Sequence, residues 1–433
     1  RRSTCMVLQA KAMNAAGKPD IRPVPTRVRP FEGTQMKPSP FLRVMMGRDP
    51  SPSRAEYDEL VDALWDGDAA MDRLLDWFEE YGAREARALY KQAVEHGIES
   101  IDNPPQPLVD FFTEVDQEPE WLDRALIEDG VRFIHRTGLA GPYVLRDFAL
   151  MGGYLLSGFN HALVLTGALN KGARQRIAET GKWWIDCTEP GGLERFGEGF
   201  KTTLTVRMVH AMVRRNLPQR EEWSNEEWGL PVNQTDMLAT YLAFGPIMMT
   251  GMRAMGIPVT RHESRAVMHL WKYAGWLMGV DEKWLVDDEQ TGLVRLYHTF
   301  LTQSRADWTS RELGAALARE PLEREYPWAD SFPRLHKARV QLQHQLHLSN
   351  SSLFLNRKQM KKLGLPEDVR PWFPVLTAGP RFAGYVAQRV NPLLRKRQEK
   401  QGRKAQLKAL ASMFGQSEKD IIQPESGHPA HAG

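Results

Sequence analysis

The chain is expected to fold as an all-α protein, and three observations carry that expectation. From Ala55 onward, apolar residues recur at steps of three and four, the repeat that lines one side of an α-helix. No stretch shows sustained alternation with β-branched enrichment, so strands are expected to be few or absent. The 433 residues are 42% hydrophobic, 9% aromatic and 26% charged, enough to pack a core and unlike a disordered chain.

Residues 1–54 read as an extended Pro-rich arm, because Pro19, Pro23, Pro25, Pro30, Pro38, Pro40, Pro50 and Pro52 prevent a long helix across most of it. The helical domain is expected over 55–380. It opens with Leu64, Met71, Leu74, Leu75 and Phe78 in period, breaks at Asn103, Pro104 and Pro105, and resumes with Trp121, Leu122, Ala125, Leu126 and Ile134. Further helices are expected at 172–185, 194–217, 234–255, 262–279, 291–303, 309–319 and 333–348. Residues 381–433 read as a basic helix near 382–413 followed by a polar tail.

Composition narrows the function. The formal charge is only +3, and the basic run Arg389, Arg395, Lys396, Arg397, Lys400, Arg403, Lys404 and Lys408 reads as a solvated helix face or tail, with contact to nucleic acid or anionic lipid as the alternative. No nucleic-acid motif accompanies it, so no nucleic-acid partner is expected. Two cysteines, Cys5 and Cys187, exclude a disulfide framework, a four-cysteine zinc site and the C-x-x-C-H attachment of covalent haem. Arg1 and Arg2 are followed by no apolar leader, so a cytoplasmic location is expected. The uncharged stretch Phe148 to Leu169 is long enough to span a bilayer. Four glycines, together with Asn160 and His161, favour instead a buried helix, broken at the glycines, that lines a cavity; no transmembrane segment is expected.

Several residues could carry chemistry. On the 194–217 helix, Val206, Val209, His210, Val213 and Leu217 fall on one stripe. His210 is therefore either a hydrogen-bonded core histidine or a buried imidazole that ligates iron, with Arg207 and Arg214 alongside to meet haem propionates. Arg176 and Thr180 stack on one helical face near Trp183 and Trp184; they are either a solvated pair or the polar edge of an apolar pocket. Asn233 with Asp236 reads as an N-cap with a partial capping box. His262 and His269, two turns apart, are rival iron ligands or core residues, and His344 with His347 is a weak metal pair with no carboxylate or cysteine at a supporting spacing. Cys187, in a Pro-Gly loop, lacks the glycine-framed pattern of a haem-thiolate site, and the one Glu-x-x-His match, Glu425 to His428, lies in the tail.

The segment Arg207 to Arg214 resembles the haem-ligand helix of the latex clearing proteins, the haem-dependent rubber-oxygenase family, and of the related oxygenase of mycophenolate biosynthesis. Arg176 and Thr180 stand 34 and 30 positions before His210, the spacing of that family's distal Arg and Thr. Trp228 to Asp236, Thr240, Phe244, Gly251 to Gly256, Glu263, and His269 to Val280 follow its pattern, so the resemblance covers roughly 120–300. It implies a globin-like helical domain with extra N- and C-terminal helices that holds haem b non-covalently. His210 would be the iron ligand, Arg207 and Arg214 would help bind the cofactor, and Arg176 and Thr180 would shape the distal side. The activity implied is that of an oxygenase using O2 on a hydrophobic alkene or isoprenoid.

Two departures stand out. Glu179 replaces the lysine that polyisoprene-cleaving members carry just before the Thr, and their upstream acidic residue gives way near Asn160 and His161. Acid–base work would pass to Glu179, whose burial would raise its pKa. A soluble terpenoid or unsaturated lipid is then the expected substrate, with a non-catalytic haem- or isoprenoid-binding protein as the alternative.

Overall fold

Helix starts in this chain are written locally. Ser53 and Thr260 close capping boxes with Glu56 and Glu263, while Asp68, Asp123, Asn233, Asp288 and Asp307 each accept a backbone N–H from the first helical turn that follows. The computed structural model describes residues 22–35, 40–167 and 172–415, and no strand occurs among them. The all-α expectation holds. Cys5, residues 1–21 and 36–39 of the N-terminal arm, the end of the apolar stretch at Ala168 and Leu169, and the Glu425 to His428 motif lie outside the described residues.

The main core gathers the inward faces of helices Ala69–Tyr81, Ala83–His96, Gln106–Asp116, Arg124–Arg136, Glu198–Asn216 and Arg261–Leu277. Phe112, Phe133, Phe200, Leu204 and Trp271 are among its fully buried side chains. A second core joins Met151, Tyr154 and Leu155 to Leu313, Leu317, Leu348 and Leu363. The described part of the N-terminal arm wraps this body. Arg27 is buried, with its guanidinium on both Asp236 oxygens at 3.0 and 2.7 Å and on the Trp228 carbonyl at 3.0 Å.

Three expected helices are interrupted, each for a local reason. The apolar stretch runs as Ala140–Gly153, turns at Tyr154 to Leu156, and continues as Ser157–Leu165 with the two axes 99° apart. Among the described residues, no single helix is long and apolar enough to cross a membrane. The expected 234–255 helix holds a π-turn over Ala243–Ile247, because Pro246 has no N–H to give the preceding turn. The expected basic helix near 382–413 is two helices, Trp372–Val390 and Pro392–Phe414. Pro392 disfavours helical backbone at Asn391, whose side chain instead caps Leu393 and Leu394.

The last helix corrects two further expectations, for it is neither an appended tail nor wholly a solvated face. Gly402, Arg403, Gln406, Leu410 and Ala411 are buried. Arg403 donates to the Ile185 carbonyl at 2.8 Å and pairs with Glu189, while Gln406 Nε2 donates to the Ile134 and Gly138 carbonyls at 3.0 Å. At Gly402 the helix approaches so closely that a Cβ would stand 2.0 Å from the His135 carbonyl oxygen, a backbone atom with no room to yield.

Gly402→Ala is expected to cost at least about 3 kcal/mol in urea unfolding, the upper end for an overpacked site. A neutral result would show that the C-terminal helix docks loosely. His135, beside this contact, is pushed down to about 4 from 6.5 by burial and then by Arg403. The unfolded chain therefore takes up a proton that the folded one refuses, so stability falls as pH drops from 6.5 toward 4. His135→Gln should flatten that slope in unfolding curves measured across the window.

Candidate functional site

The helices Ala173–Cys187 and Glu198–Asn216 pack antiparallel about a glycine-rich loop. They touch most closely at Gly199, where a Cβ would stand 2.7 Å from the Cys187 Cα. Cys187 Sγ lies 3.9 Å from the Gly199 carbonyl, and Trp183 Nε1 donates to Thr203 Oγ1 at 2.9 Å. Both contacts are symmetric about the same loop position. The same register, continued to the open end of the pair, sets Thr180 opposite Val206 and Arg176 opposite His210.

Electrostatics agrees with that placement. Burial first, then the positive charges of Arg214 and Arg176, push the His210 imidazole down to about 4, against an opposing pull from Asp68. The ring is therefore neutral at physiological pH, the state in which an imidazole can ligate a metal. His210 Nδ1 is buried without a hydrogen-bond partner. By surface area the side chain as a whole is half-buried.

His298 Nε2 is likewise buried without a partner, but each of the other buried or half-buried histidines makes at least one hydrogen bond, and His210 makes none. His135 bonds the Thr188 carbonyl, His161 Asp307, His298 the Pro50 carbonyl, His336 the Arg324 carbonyl and His344 the Ala318 carbonyl. His269 Nε2 accepts the Asp123 N–H at 2.8 Å and packs edge-on to Trp121 at 5.7 Å, while His262 is exposed and pairs with Asp129. Neither rival is free to serve as a ligand in this arrangement. His347 lies in a buried network in which its Nδ1 meets Asp147 at 2.8 Å and Arg146, Glu320 and Arg324 complete the charge balance. Sequence reasoning missed Asp147 as its partner, 200 positions away. Among the described residues, no group of three or more His, Cys, Asp or Glu could hold a metal ion. Cys187 is buried and its thiol is pushed up, chiefly by burial, so it is not a thiolate.

Arg176 is half-buried and makes no ion pair or side-chain hydrogen bond among the described residues. Thr180 requires correction: it is exposed, and its Oγ1 donates to the Arg176 carbonyl one turn back at 3.2 Å, so its hydroxyl is used within its own helix and does not line a buried distal side. Glu179 requires correction. It is exposed and accepts from Gln175 Nε2 at 3.0 Å, so the burial expected to make it an acid–base group is absent. Asn160 is buried, with its amide donating to the Tyr154 carbonyl at 2.9 Å. Trp183, Phe244 and Trp271 form an aromatic wall, with ring centroids 4.7 to 5.6 Å apart.

Arg207 and Arg214 also require correction. They lie on the core face of their helix together with Phe200, Thr203, Leu204 and Ala211. Arg207 grips Asp68 through Nε and Nη2 at 2.6 and 2.8 Å, and Arg214 grips Asp72 through Nε and Nη2 at 2.9 and 2.7 Å. With these carboxylates bound, the two guanidinium groups hold the helix in place rather than await propionates. The expected stripe is shifted to match, with Val209 39% exposed rather than buried. Asn233 is the N-cap expected: its Oδ1 accepts the Asp236 N–H at 2.9 Å, its Nδ2 donates to Asp236 Oδ2 at 2.9 Å, and the same carboxylate also takes Arg27.

With this geometry in hand, likeness to known proteins is informative. Residues 135–386 match the family model described as ER-bound oxygenase mpaB/B'/Rubber oxygenase, catalytic domain. The chain belongs to this family. It is 27% identical over 202 residues to the rubber oxygenase of Streptomyces sp. (strain K30), a match covering 46% of this chain and 49% of that protein. The chain thus spans about half the length of the curated relative it matches. The fold is similar to that of latex clearing protein in its closed state, with a TM-score of 0.58 at 20% identity, covering 80% of this chain and 91% of that one. The family match reaches farther toward the C-terminus than the 120–300 expected from motifs.

The Asp68–Arg207 pair is open to a direct test. Asp68→Ala leaves a buried guanidinium unpaired and is expected to cost about 3–5 kcal/mol in chemical denaturation. Asp68→Ala with Arg207→Met should recover most of that loss. No recovery would mean that Asp68 acts mainly as the N-cap of its helix.

Proposed function

We propose that this chain is a haem b-dependent oxygenase that uses O2 on a hydrophobic alkene or isoprenoid, in which His210 would hold the haem iron. One observation carries the reading: among the described histidines that are buried or half-buried, His210 alone makes no hydrogen bond, and its ring is held neutral by burial. A buried polar atom without a partner is costly unless a ligand completes it, and the residues present fit the group that the family resemblance implies. Bound haem supplies the oxygen and redox chemistry, while the protein supplies access, orientation and polarity.

The chain's own residues then divide the work. His210 offers a neutral nitrogen lone pair from a helix whose rotation is fixed by Arg207 and Arg214. Arg176, a cation with no competing carboxylate among the described residues, is available to hydrogen-bond an oxygen-bearing group. Thr180 steadies the turn that carries it through its bond to the Arg176 carbonyl. The aromatic wall excludes water and favours an apolar substrate. The curated relative is named a rubber oxygenase. With Glu179 exposed and an amide at Asn160, this chain carries different polar groups there, and a soluble isoprenoid is the better substrate to try first.

Purified protein is expected to show a Soret band and to yield about one extractable haem b per chain. His210→Ala should lose most of the haem while keeping its helical circular dichroism, and His262→Ala and His269→Ala should retain it. A red, oxygen-reactive His210→Ala protein would refute the ligand assignment. Haem retained by the wild type with no O2 uptake on any isoprenoid alkene would leave a binding protein instead.

A further inference from the structure

The helix Trp372–Val390 turns a mixed face inward, with Pro374 and the Tyr385 ring buried beside Gln388. Arg381 turns inward to donate to the Met255 carbonyl at 3.4 Å. The outward face is apolar. Val375, Leu376, Phe382 and Val390 are 64%, 69%, 54% and 83% exposed, and Val386 lies in the same strip. Steps of three and four align them along one side of the helix, and Leu393 and Leu394 prolong the apolar surface past the Asn391 break. Between Trp372 and Gln388 the only formal charge is Arg381, which faces in. Immediately beyond, Arg395, Lys396, Arg397, Lys400 and Lys404 are exposed and form no ion pair among the described residues, with Glu399 the one acidic residue in the run.

We propose that this face docks on an anionic lipid bilayer, with the strip from Val375 to Leu394 at the boundary between headgroups and acyl chains and the basic run against the lipid phosphates. Two features must be met at once: an apolar strip that water solvates poorly, and five neighbouring cations without counter-charges. An anionic bilayer presents both complements in one plane, which is the logic of interfacial helices that lie on a membrane without crossing it. The exposed strip is not needed for packing, since the helix is already docked through Pro374, Tyr385, Gln388 and Arg381. This inference does not depend on how His210 is used.

The test is co-sedimentation of the full chain with vesicles of phosphatidylcholine, with and without phosphatidylglycerol, alongside its oligomeric state by light scattering. The chain is expected to sediment with the anionic vesicles and not with the neutral ones, and to release as salt rises. Leu376→Asp with Phe382→Asp, and separately Arg395→Glu with Lys396→Glu, should each weaken binding at least about tenfold while circular dichroism stays unchanged. The charge-reversal pair keeps the test valid should the apolar pair misfold. Failure of the wild type to bind anionic vesicles, or binding that neither pair alters, overturns the proposal. A stable dimer that Leu376→Asp with Phe382→Asp dissolves, with no vesicle binding, also overturns it and assigns the face to a second copy of the chain.

Discussion

Two aspartates one turn apart on one helix hold two arginines two turns apart on another, and the site depends on that grip. Asp68 and Asp72 stand at the start of the Ala69–Tyr81 helix, and Arg207 and Arg214 bracket His210. A buried charge cannot be left without its partner at a cost below several kcal/mol. Rolling the His210 helix by a single residue would strand two of them at once. The direction of the imidazole is therefore decided by ion pairs that never touch a ligand. Gly279 belongs to the same arrangement: its φ of +89° needs no Cβ, and a Cβ there would lie 2.3 Å from Asp68 Oδ2.

Much of the helical framework was legible in the sequence because the signals that specify it are local. Periodicity located the helices that became Ala173–Cys187, Arg261–Leu277 and Trp308–Arg319, with ends within about two residues, since caps and apolar repeats act over a turn or two. Pro246 and Pro392 were equally visible, and the breaks they cause follow from a missing N–H and a crowded preceding residue. What could not be read was pairing across the chain. Arg27 with Asp236 is separated by 209 positions and Arg207 with Asp68 by 139, and residue type alone puts such arginines on the surface.

The site divides along the same line. His210 was visible through its apolar helix and its resemblance to a known ligand segment, but bare sequence cannot tell a satisfied core histidine from an open one. The difference lies in whether a distant group reaches the ring, and here none of the described groups does. Glu179 shows the converse error. Its place beside Thr180 in sequence invited a shared buried role, yet both residues are exposed, and of this group only Arg176 is half-buried.

The close approach at Gly402 has a consequence in time. The helix that carries Arg176 and Thr180 is held on one flank by the His210 helix and on the other by the C-terminal helix, where Leu410 reaches to within 3.0 Å of where a Cβ on Gly181 would stand. Synthesis runs from the N-terminus, so the His210 segment leaves the ribosome well before residues 392–414 can close that flank. The two flanks of this helix are thus covered in two instalments, separated by the time needed to translate nearly half the chain. During that interval the Gly181 side of the helix faces solvent, and only the last helix to be made covers it.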